Sequence, residues 1–131
     1  MIIRSDEEMQ DFGEKFARSA PKVIELIGDV GAGKTTFVKG LALGLGVTEE
    51  VTSPSFVLSK RYKIKDGELI HYDFYRLKEP GLMADEISEA LENPQNIIIV
   101  EWAESVENLL PKTRQKIEIK ILDENSRELI L

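Results

Sequence analysis

The sequence predicts an α/β fold in which helices flank a central, mostly parallel sheet that carries antiparallel hairpin additions. Val23–Ile27 is a short apolar run that ends at a glycine, and helical periodicity follows it over Lys34–Leu45. Ile97–Val100 consists of consecutive β-branched residues, a pattern typical of a strand buried on both faces. The dipeptide Asp66-Gly67 between two strand-like runs, and the alternation near the C-terminus, indicate two hairpins.

Local signals predict the remaining elements. Ser5 and Glu8 have the spacing of a capping box, which predicts a helix from about Asp6 to Ala20 that Pro21 ends. The other predicted elements are strands at Phe56–Lys63 and Glu68–Asp73, a helix at Leu82–Leu91, a short helix at Ala103–Leu110, and strands at Lys116–Leu122 and Glu128–Leu131.

Length and composition limit the class of protein. The 131 residues, 42% of them hydrophobic, are enough for one core, so we expect a single domain over residues 1–131. The longest apolar run, Ile97–Val100, is far shorter than the roughly 20 residues of a membrane span, which predicts a soluble cytoplasmic protein with no membrane partner. Without cysteine, and with His71 as the one histidine, disulfides, thiolate or multi-histidine metal sites and cysteine nucleophiles are excluded.

The charge balance is acidic. Lysine and arginine total 17 against 24 aspartates and glutamates, which gives a formal net charge of −7. This balance opposes tight, sequence-independent binding to a phosphate backbone. If nucleic acid is involved, we expect a partner protein to hold it.

The segment Gly28–Thr35 has the phosphate-loop pattern of two glycines, separated by four residues, followed by lysine and threonine. Glycines allow the backbone N–H groups to converge on phosphate oxygens, and the helix that follows adds its positive dipole end. The predicted strand before the loop and helix after it are the context that this motif requires, so the fold predicted is that of the P-loop NTPases. The motif residues predicted to bind nucleotide are Asp29, Gly31, Ala32, Gly33, Lys34, which would reach the β- and γ-phosphates, and Thr35, whose hydroxyl would bind Mg²⁺.

Two carboxylates are candidates for the chemistry. Glu101 follows the buried run Ile97–Val100, which carries it to the carboxyl edge of the sheet, where a phosphate loop needs an acidic group for its metal. Asp73 ends the strand that begins at Glu68, and the same edge argument applies to it. An exposed hairpin aspartate explains Asp73 equally well on chemistry alone.

The choice of nucleotide and of reaction follows from sequence features. The guanine-reading Asn-Lys-x-Asp sequence does not occur, which favours ATP over GTP. Most small-molecule kinases use a lid or substrate domain to exclude water, for which the chain is too short, and its arginines are scattered rather than clustered. Hydrolysis or slow switching is therefore favoured over phosphorylation of a metabolite.

Four segments in this order resemble the bacterial TsaE (YjeE) ATPases: GDVGAGKTTFVKGLALGLG at Gly28–Gly46, TSPSF at Thr52–Phe56, HYDFYRL at His71–Leu77 and VEW at Val100–Trp102. The resemblance implies a role in making N6-threonylcarbamoyladenosine at position 37 of tRNAs that read codons beginning with adenine. It also implies binding of ATP with Mg²⁺ and action with the TsaD and TsaB proteins. In that family TsaD transfers the threonylcarbamoyl group, and TsaE is thought to use ATP to remodel the TsaB–TsaD assembly for turnover.

The same resemblance implies roles for individual residues. Thr36 is a further nucleotide contact, Asp73 and Glu101 are the catalytic carboxylates, and Thr35 and Glu101 hold the metal. Thr52–Phe56 is a switch-like loop. Which carboxylate orients the attacking water stays open at this stage, as do the roles of His71 and Arg76. We expect Trp102, which directly follows Glu101, to lie near the nucleotide site.

Two other functions remain as alternatives, a small metabolite kinase and a nucleotide-binding module without useful hydrolysis. The acidic composition agrees with contact to tRNA through the complex rather than by independent tight binding.

Overall fold

The computed structural model describes residues 1–54 and 57–131, so Ser55 and Phe56 lie outside the described residues. The strands are β1 (Ile2–Ile3), β2 (Val23–Ile27), β3 (Ser59–Ile64), β4 (Gly67–Asp73), β5 (Ile97–Glu101), β6 (Gln115–Ile121) and β7 (Arg127–Ile130). The α-helices are α1 (Asp6–Phe16), α2 (Lys34–Gly44) and α3 (Leu82–Glu92), and 3₁₀ helices span Ala17–Ser19 and Ala103–Leu109.

The seven strands form one sheet in the order β1-β7-β6-β2-β5-β4-β3. The four central strands, β6, β2, β5 and β4, run parallel to one another. β3 and β4 form an antiparallel hairpin at one side, and β7 with β1 adds antiparallel strands at the other. The predicted fold class, a mostly parallel centre with hairpin additions and flanking helices, is confirmed.

Each face of the sheet packs against its own apolar cluster. Ile24 and Leu26 of β2 lie in the cluster that includes α1 and α2, whereas Val23 lies with α3 and β5 on the other face. Ile98–Val100 is fully buried, as the run of β-branched residues predicts. Within the described residues, no helix has the length and apolar character needed to cross a membrane.

The predicted bounds differ from the observed ones where local signals are weak. The first helix ends at Phe16 and continues as a 3₁₀ turn, and the short helix predicted at Ala103–Leu110 is a 3₁₀ helix over Ala103–Leu109. The predicted strand start at Phe56 falls outside the described residues, and β3 begins at Ser59. β1 was not predicted, because a two-residue strand leaves no periodic pattern.

The capping signal at the start of α1 is half confirmed. The Ser5 hydroxyl accepts a hydrogen bond from the Glu8 N–H at 3.1 Å, as in a capping box. The Glu8 carboxylate, however, accepts from the N–H of Arg4 at 2.9 Å and not from that of Ser5. The carboxylate therefore fixes the chain one residue before the cap.

The register brings three functional segments to one edge. β2, β5 and β4 are adjacent and parallel, so their carboxyl ends lie together. Leu26 is opposite Glu101, and Glu101 is opposite Asp73. The loop after β2 therefore lies beside both carboxylates, at the edge where α/β folds bind ligands.

Glycines let α1 and α2 approach closely. A Cβ atom on Gly40 would lie 2.0 Å from the carbonyl oxygen of Gln10, and one on Gly13 would lie 2.4 Å from that of Phe37. Backbone atoms cannot yield at these distances without moving a helix. α1 is thus a support on which the helix after the phosphate loop rests.

We expect Gly40→Ala to lower the free energy of unfolding by about 1 to 3 kcal/mol, because overpacking against backbone outweighs the gain of roughly 1 kcal/mol in helix propensity. Urea denaturation measures this change. Lys39→Ala, at the exposed neighbouring position, is the control and should change stability by less than about 0.5 kcal/mol. A Gly40→Ala protein as stable as the wild type would contradict the close packing.

Candidate functional site

The loop between β2 and α2 has the conformation of an anion-binding turn. Gly31 and Gly33 have φ values of +83° and +105°, in the left-handed region that favours glycine. The N–H of Ala32 donates to the carbonyl of Asp29 at 3.0 Å and closes the turn. The first N–H groups of α2, which have no partners within the helix, point toward the end of the loop.

Lys34, the first residue of α2, is buried, with 8% of its surface exposed. Its Nζ donates to the carbonyl of Gly28 and lies 3.3 Å from Oε1 of Glu101. The same atom is 5.0 Å from the centre of the Trp102 ring, within cation–π range. The lysine charge is therefore compensated within the protein, at the carboxyl edge of the sheet.

Glu101 lies between two nitrogen donors. Its second oxygen, Oε2, accepts a hydrogen bond from Nε2 of His71, which is completely buried. Burial alone would raise the pKa of the Glu101 carboxyl, but His71 and the charge of Lys34 outweigh burial and bring that pKa below its ordinary value. Glu101 is thus held as a carboxylate, and His71, whose role the sequence left open, fixes its orientation.

Asp73 is the second carboxylate at this edge. It is buried, and its Oδ1 accepts a hydrogen bond from the N–H of Tyr75 at 3.0 Å. The chain next to Asp73 is bonded to β5, because the N–H of Phe74 donates to the carbonyl of Glu101 at 3.1 Å. An exposed hairpin aspartate, the alternative for Asp73, is therefore wrong.

Trp102 has an unusual backbone at the end of β5. Its φ of 56° and ψ of 59° are left-handed, which is strained for a residue with a large side chain. The conformation brings its ring against that of Tyr75, with centres 4.9 Å apart, and over Lys34. The expected position of Trp102 beside the phosphate loop is confirmed by this geometry.

The phosphate loop, both carboxylates and Trp102 line one cleft of about 620 Å³. It contains the phosphate-loop residues from Val30 onward, Thr35 and Thr36, both carboxylates, and Ser53 from the predicted switch-like segment; Ser55 and Phe56 of that segment lie outside the described residues. Its lining also includes residues that sequence reasoning missed: Arg4, Ser5 and Asp6 at the start of α1, and Glu124, Asn125 and Arg127 of the last hairpin.

Asp29, predicted to bind nucleotide, and Arg76, whose role the sequence left open, lie outside this cleft. Asp29 is exposed and lines a neighbouring cleft behind the loop, although its carbonyl stabilises the turn. Arg76 is exposed and is not among the lining residues. No local sequence signal indicated Arg127 of the first cleft, because its contacts with the phosphate loop join distant parts of the chain.

The donor set fits a hard cation held together with a ligand. Within residues 1–54 and 57–131, no group of three or more His, Asp or Glu side chains could bind a metal ion alone. The cleft does offer the Thr35 hydroxyl and the carboxylates of Asp73 and Glu101. One or two such oxygens plus phosphate oxygens and water are the usual ligands of Mg²⁺.

The strand, glycine loop and helix, with carboxylates on the neighbouring strands, define a P-loop nucleotide-binding protein. The model of the family "Threonylcarbamoyl adenosine biosynthesis protein TsaE" matches residues 3–129. The chain therefore belongs to the TsaE family, which acts in tRNA threonylcarbamoyladenosine biosynthesis, and the resemblance seen in the sequence is confirmed.

Individual relatives agree with this assignment. The TsaE protein of Bacillus subtilis is 42% identical over 109 residues, which cover 82% of this chain and 66% of that protein. The TsaE protein of Treponema pallidum is 39% identical over 130 residues, 98% of this chain and 96% of its own. The crystal structure of Bacillus subtilis YdiB superimposes with a TM-score of 0.78 at 34% identity, over 98% of this chain and 80% of that chain.

The contact between Lys34 and Trp102 leads to a spectroscopic prediction. A nucleoside triphosphate in the cleft should draw the Lys34 ammonium toward its phosphates and away from the ring. Trp102 is the single tryptophan, so its emission should change in intensity or wavelength on titration. Lys34→Met is the control and should abolish the nucleotide-dependent change. Identical wild-type spectra, at concentrations where calorimetry detects binding, would show that Trp102 does not sense the ligand.

Proposed function

We propose that this protein is a Mg²⁺-dependent ATPase that acts with TsaD and TsaB in forming N6-threonylcarbamoyladenosine at position 37 of tRNAs reading codons that begin with adenine. ATP binding and hydrolysis would remodel the complex between turnovers, in the cytoplasm. The observation that carries the proposal is the contact between Lys34 of the phosphate loop and Glu101 of the adjacent strand, in a chain of the TsaE family.

The phosphate loop would bind the nucleotide mainly through its backbone. The residues from Gly31 to Thr36 line the cleft, and the N–H groups of Gly33 to Thr36 would donate to phosphate oxygens, while the Ala32 N–H closes the turn on Asp29. The Lys34 ammonium would contact the β- and γ-phosphates, and Thr36 would add a further contact. Asp29 contributes through the turn that its carbonyl stabilises. ATP is preferred because the guanine-reading sequence of GTPases is absent.

Thr35 and Glu101 would hold the metal, the threonine through its hydroxyl and the glutamate through water. Bound Mg²⁺ supplies charge neutralisation for the phosphates. Phosphate binding would give Lys34 a new counter-charge, and this exchange would release Oε1 of Glu101 toward the cleft. His71 would keep the other oxygen fixed during the exchange.

Asp73 and Glu101 would then act on the attacking water. Both are buried at adjacent strand ends and line the same cleft, so either can accept a hydrogen bond from a water near the γ-phosphate. The geometry supports a shared task rather than two separate ones. Kinetic comparison of the single and double variants tests whether both carboxylates act on one water.

Two observations favour action within a complex. The cleft is open, and none of the described elements is a lid that would exclude water from it. The net charge of −7 disfavours independent binding of tRNA, so tRNA is reached through TsaD and TsaB. A metabolite kinase would need a lid, which none of the described elements forms, and a pure binding module would have no need of two buried carboxylates beside the lysine.

Glu101→Gln and Asp73→Asn should each lower kcat for ATP hydrolysis by about 100-fold without weakening ATP binding, because these carboxylates act chiefly in the transition state. Phosphate release and calorimetry measure the two effects. The double variant should be about as slow as the slower single variant, since both groups serve one water. Glu104→Gln, at an exposed carboxylate three residues away, is the matched control and should leave kcat unchanged. Full additivity would contradict the shared task, and an unchanged kcat would favour the binding module.

Hydrolysis by the isolated chain should be weak and should rise at least about tenfold with saturating TsaB and TsaD, because the partners would complete the open site. Steady-state phosphate release is the measurement. Lys34→Ala with the same partners gives the background rate. A wild-type rate that the partners do not change would contradict partner dependence, and threonylcarbamoyladenosine formation without this protein's ATPase activity would contradict the proposed role.

A further inference from the structure

Arg127, the first residue of β7, contacts the phosphate loop from the far end of the chain. Its Nε donates to the carbonyl of Ala32 at 3.1 Å, and its Nη2 donates to the carbonyl of Gly31 at 3.2 Å. The guanidinium lines the same cleft as Lys34. No sequence motif predicted this contact.

The other side of the guanidinium is fixed by the turn between β6 and β7. Nη1 of Arg127 donates to the carbonyls of Asp123 and Ser126 at 2.8 and 2.9 Å. The Asp123 carboxylate accepts from the N–H groups of Asn125 and Ser126, which closes that turn. Arg127 thus joins a rigid turn to a glycine loop through four main-chain carbonyls, an arrangement that needs the planar fork of arginine.

The orientation of these two loop carbonyls matters because the C=O and the N–H of one trans peptide group point in opposite directions. If the Gly31 and Ala32 carbonyls turned into the cleft, their oxygens would repel a phosphate. The Ala32 N–H, which shares a peptide with the Gly31 carbonyl, would leave Asp29, and the Gly33 N–H, which shares a peptide with the Ala32 carbonyl, would point away from the cleft. The loop carbonyls of Gly28, Asp29 and Gly33 have donors within the loop and α2. The donors to the Gly31 and Ala32 carbonyls come from outside the loop, from Arg127. These carbonyls lie next to glycines, where the backbone rotates easily.

We propose that Arg127 is a positioning residue of the nucleotide site, which holds the Gly31 and Ala32 carbonyls away from the phosphates, so that the Ala32 N–H keeps the turn closed on Asp29 and the Gly33 N–H is left for the phosphates. The proposal deepens the proposed function and rests on it. In this proposal the hairpin of β6 and β7 contributes to the nucleotide site. It does so through the shape of the Arg127 guanidinium rather than through its positive charge.

Arg114 offers a matched control. Its Nε donates to Glu25 at 2.7 Å and its Nη2 to Glu107 at 2.6 Å, and its side chain is 3% exposed. It joins the segment around the second 3₁₀ helix to β2, and its partners Glu25, Glu107 and Pro111 lie outside the phosphate loop. Arg114→Lys should therefore destabilise the fold without a specific effect on the loop.

The test compares Arg127→Lys, Arg127→Ala and Arg114→Lys with the wild type, all as the full chain. Hydrogen exchange of residues 28–36 without nucleotide measures how firmly the loop is held. Calorimetry with ATP and with ADP measures affinity. Arg127→Lys, which keeps the charge, should speed loop exchange and weaken both nucleotides about tenfold, the loss expected for one charge-assisted hydrogen bond. Arg114→Lys should leave both readouts within about twofold even if the melting temperature falls.

Each contrary result is distinct. Unchanged loop exchange in Arg127→Lys would overturn the proposal, as would faster exchange with wild-type affinity. Equal effects in Arg114→Lys would reduce the result to general destabilisation. Weak binding by Arg127→Ala alone would show that only the charge matters. A wild-type protein that binds neither nucleotide would refute the proposed function, while loop exchange would still decide whether Arg127 holds the loop.

Discussion

The parallel pairing of β2 with β5 is the constraint on which the site depends. Both strands are apolar runs covered on both faces, so burial fixes their alignment and register. With Leu26 opposite Glu101, the chain leaves β2 for the phosphate loop just where β5 delivers its carboxylate. A slip of one residue would turn Glu101 to the other face and leave Lys34 buried without a counter-charge. Core packing therefore sets the chemistry of the site.

The contacts from His71 through Glu101 to Lys34 pair three buried polar side chains, although Nδ1 of His71 has no hydrogen-bond partner among the described residues. A buried lysine without a partner would lose its proton or destabilise the fold, and a buried glutamate alone would take one up. Their contact gives each buried group an opposite charge, and His71 holds the carboxylate from the other side. The main effect of the Lys34–Glu101 ion pair is to orient both side chains rather than to stabilise the fold, because desolvation offsets much of the attraction between buried charges.

How much could be predicted from the sequence depends on how local each feature is. The phosphate loop, β5 and the Asp66-Gly67 turn, where Asp66 has a φ of 65°, were predicted correctly because periodicity and turn chemistry lie within a few residues. The insertion of β6 beside β2 and the contacts of Arg127 were not predicted, because pairings across the whole chain leave no repeating pattern. A short helix after Trp102 is predicted correctly, but its 3₁₀ type is not, because α and 3₁₀ helices share an apolar spacing over one turn.

The acidic net charge and an anion site are compatible because electrostatics in this protein is local. Exposed carboxylates more than about 8 Å away are largely screened at physiological ionic strength. What an incoming phosphate would meet in this cleft is the N-terminus of α2 and Lys34, with Glu101 as the buried negative charge in contact with the lysine. In the proposed ATPase, phosphate and Glu101 therefore compete for Lys34. The cost of separating that ion pair is one reason to expect modest affinity, and the carboxylate it releases is the group that the reaction then needs.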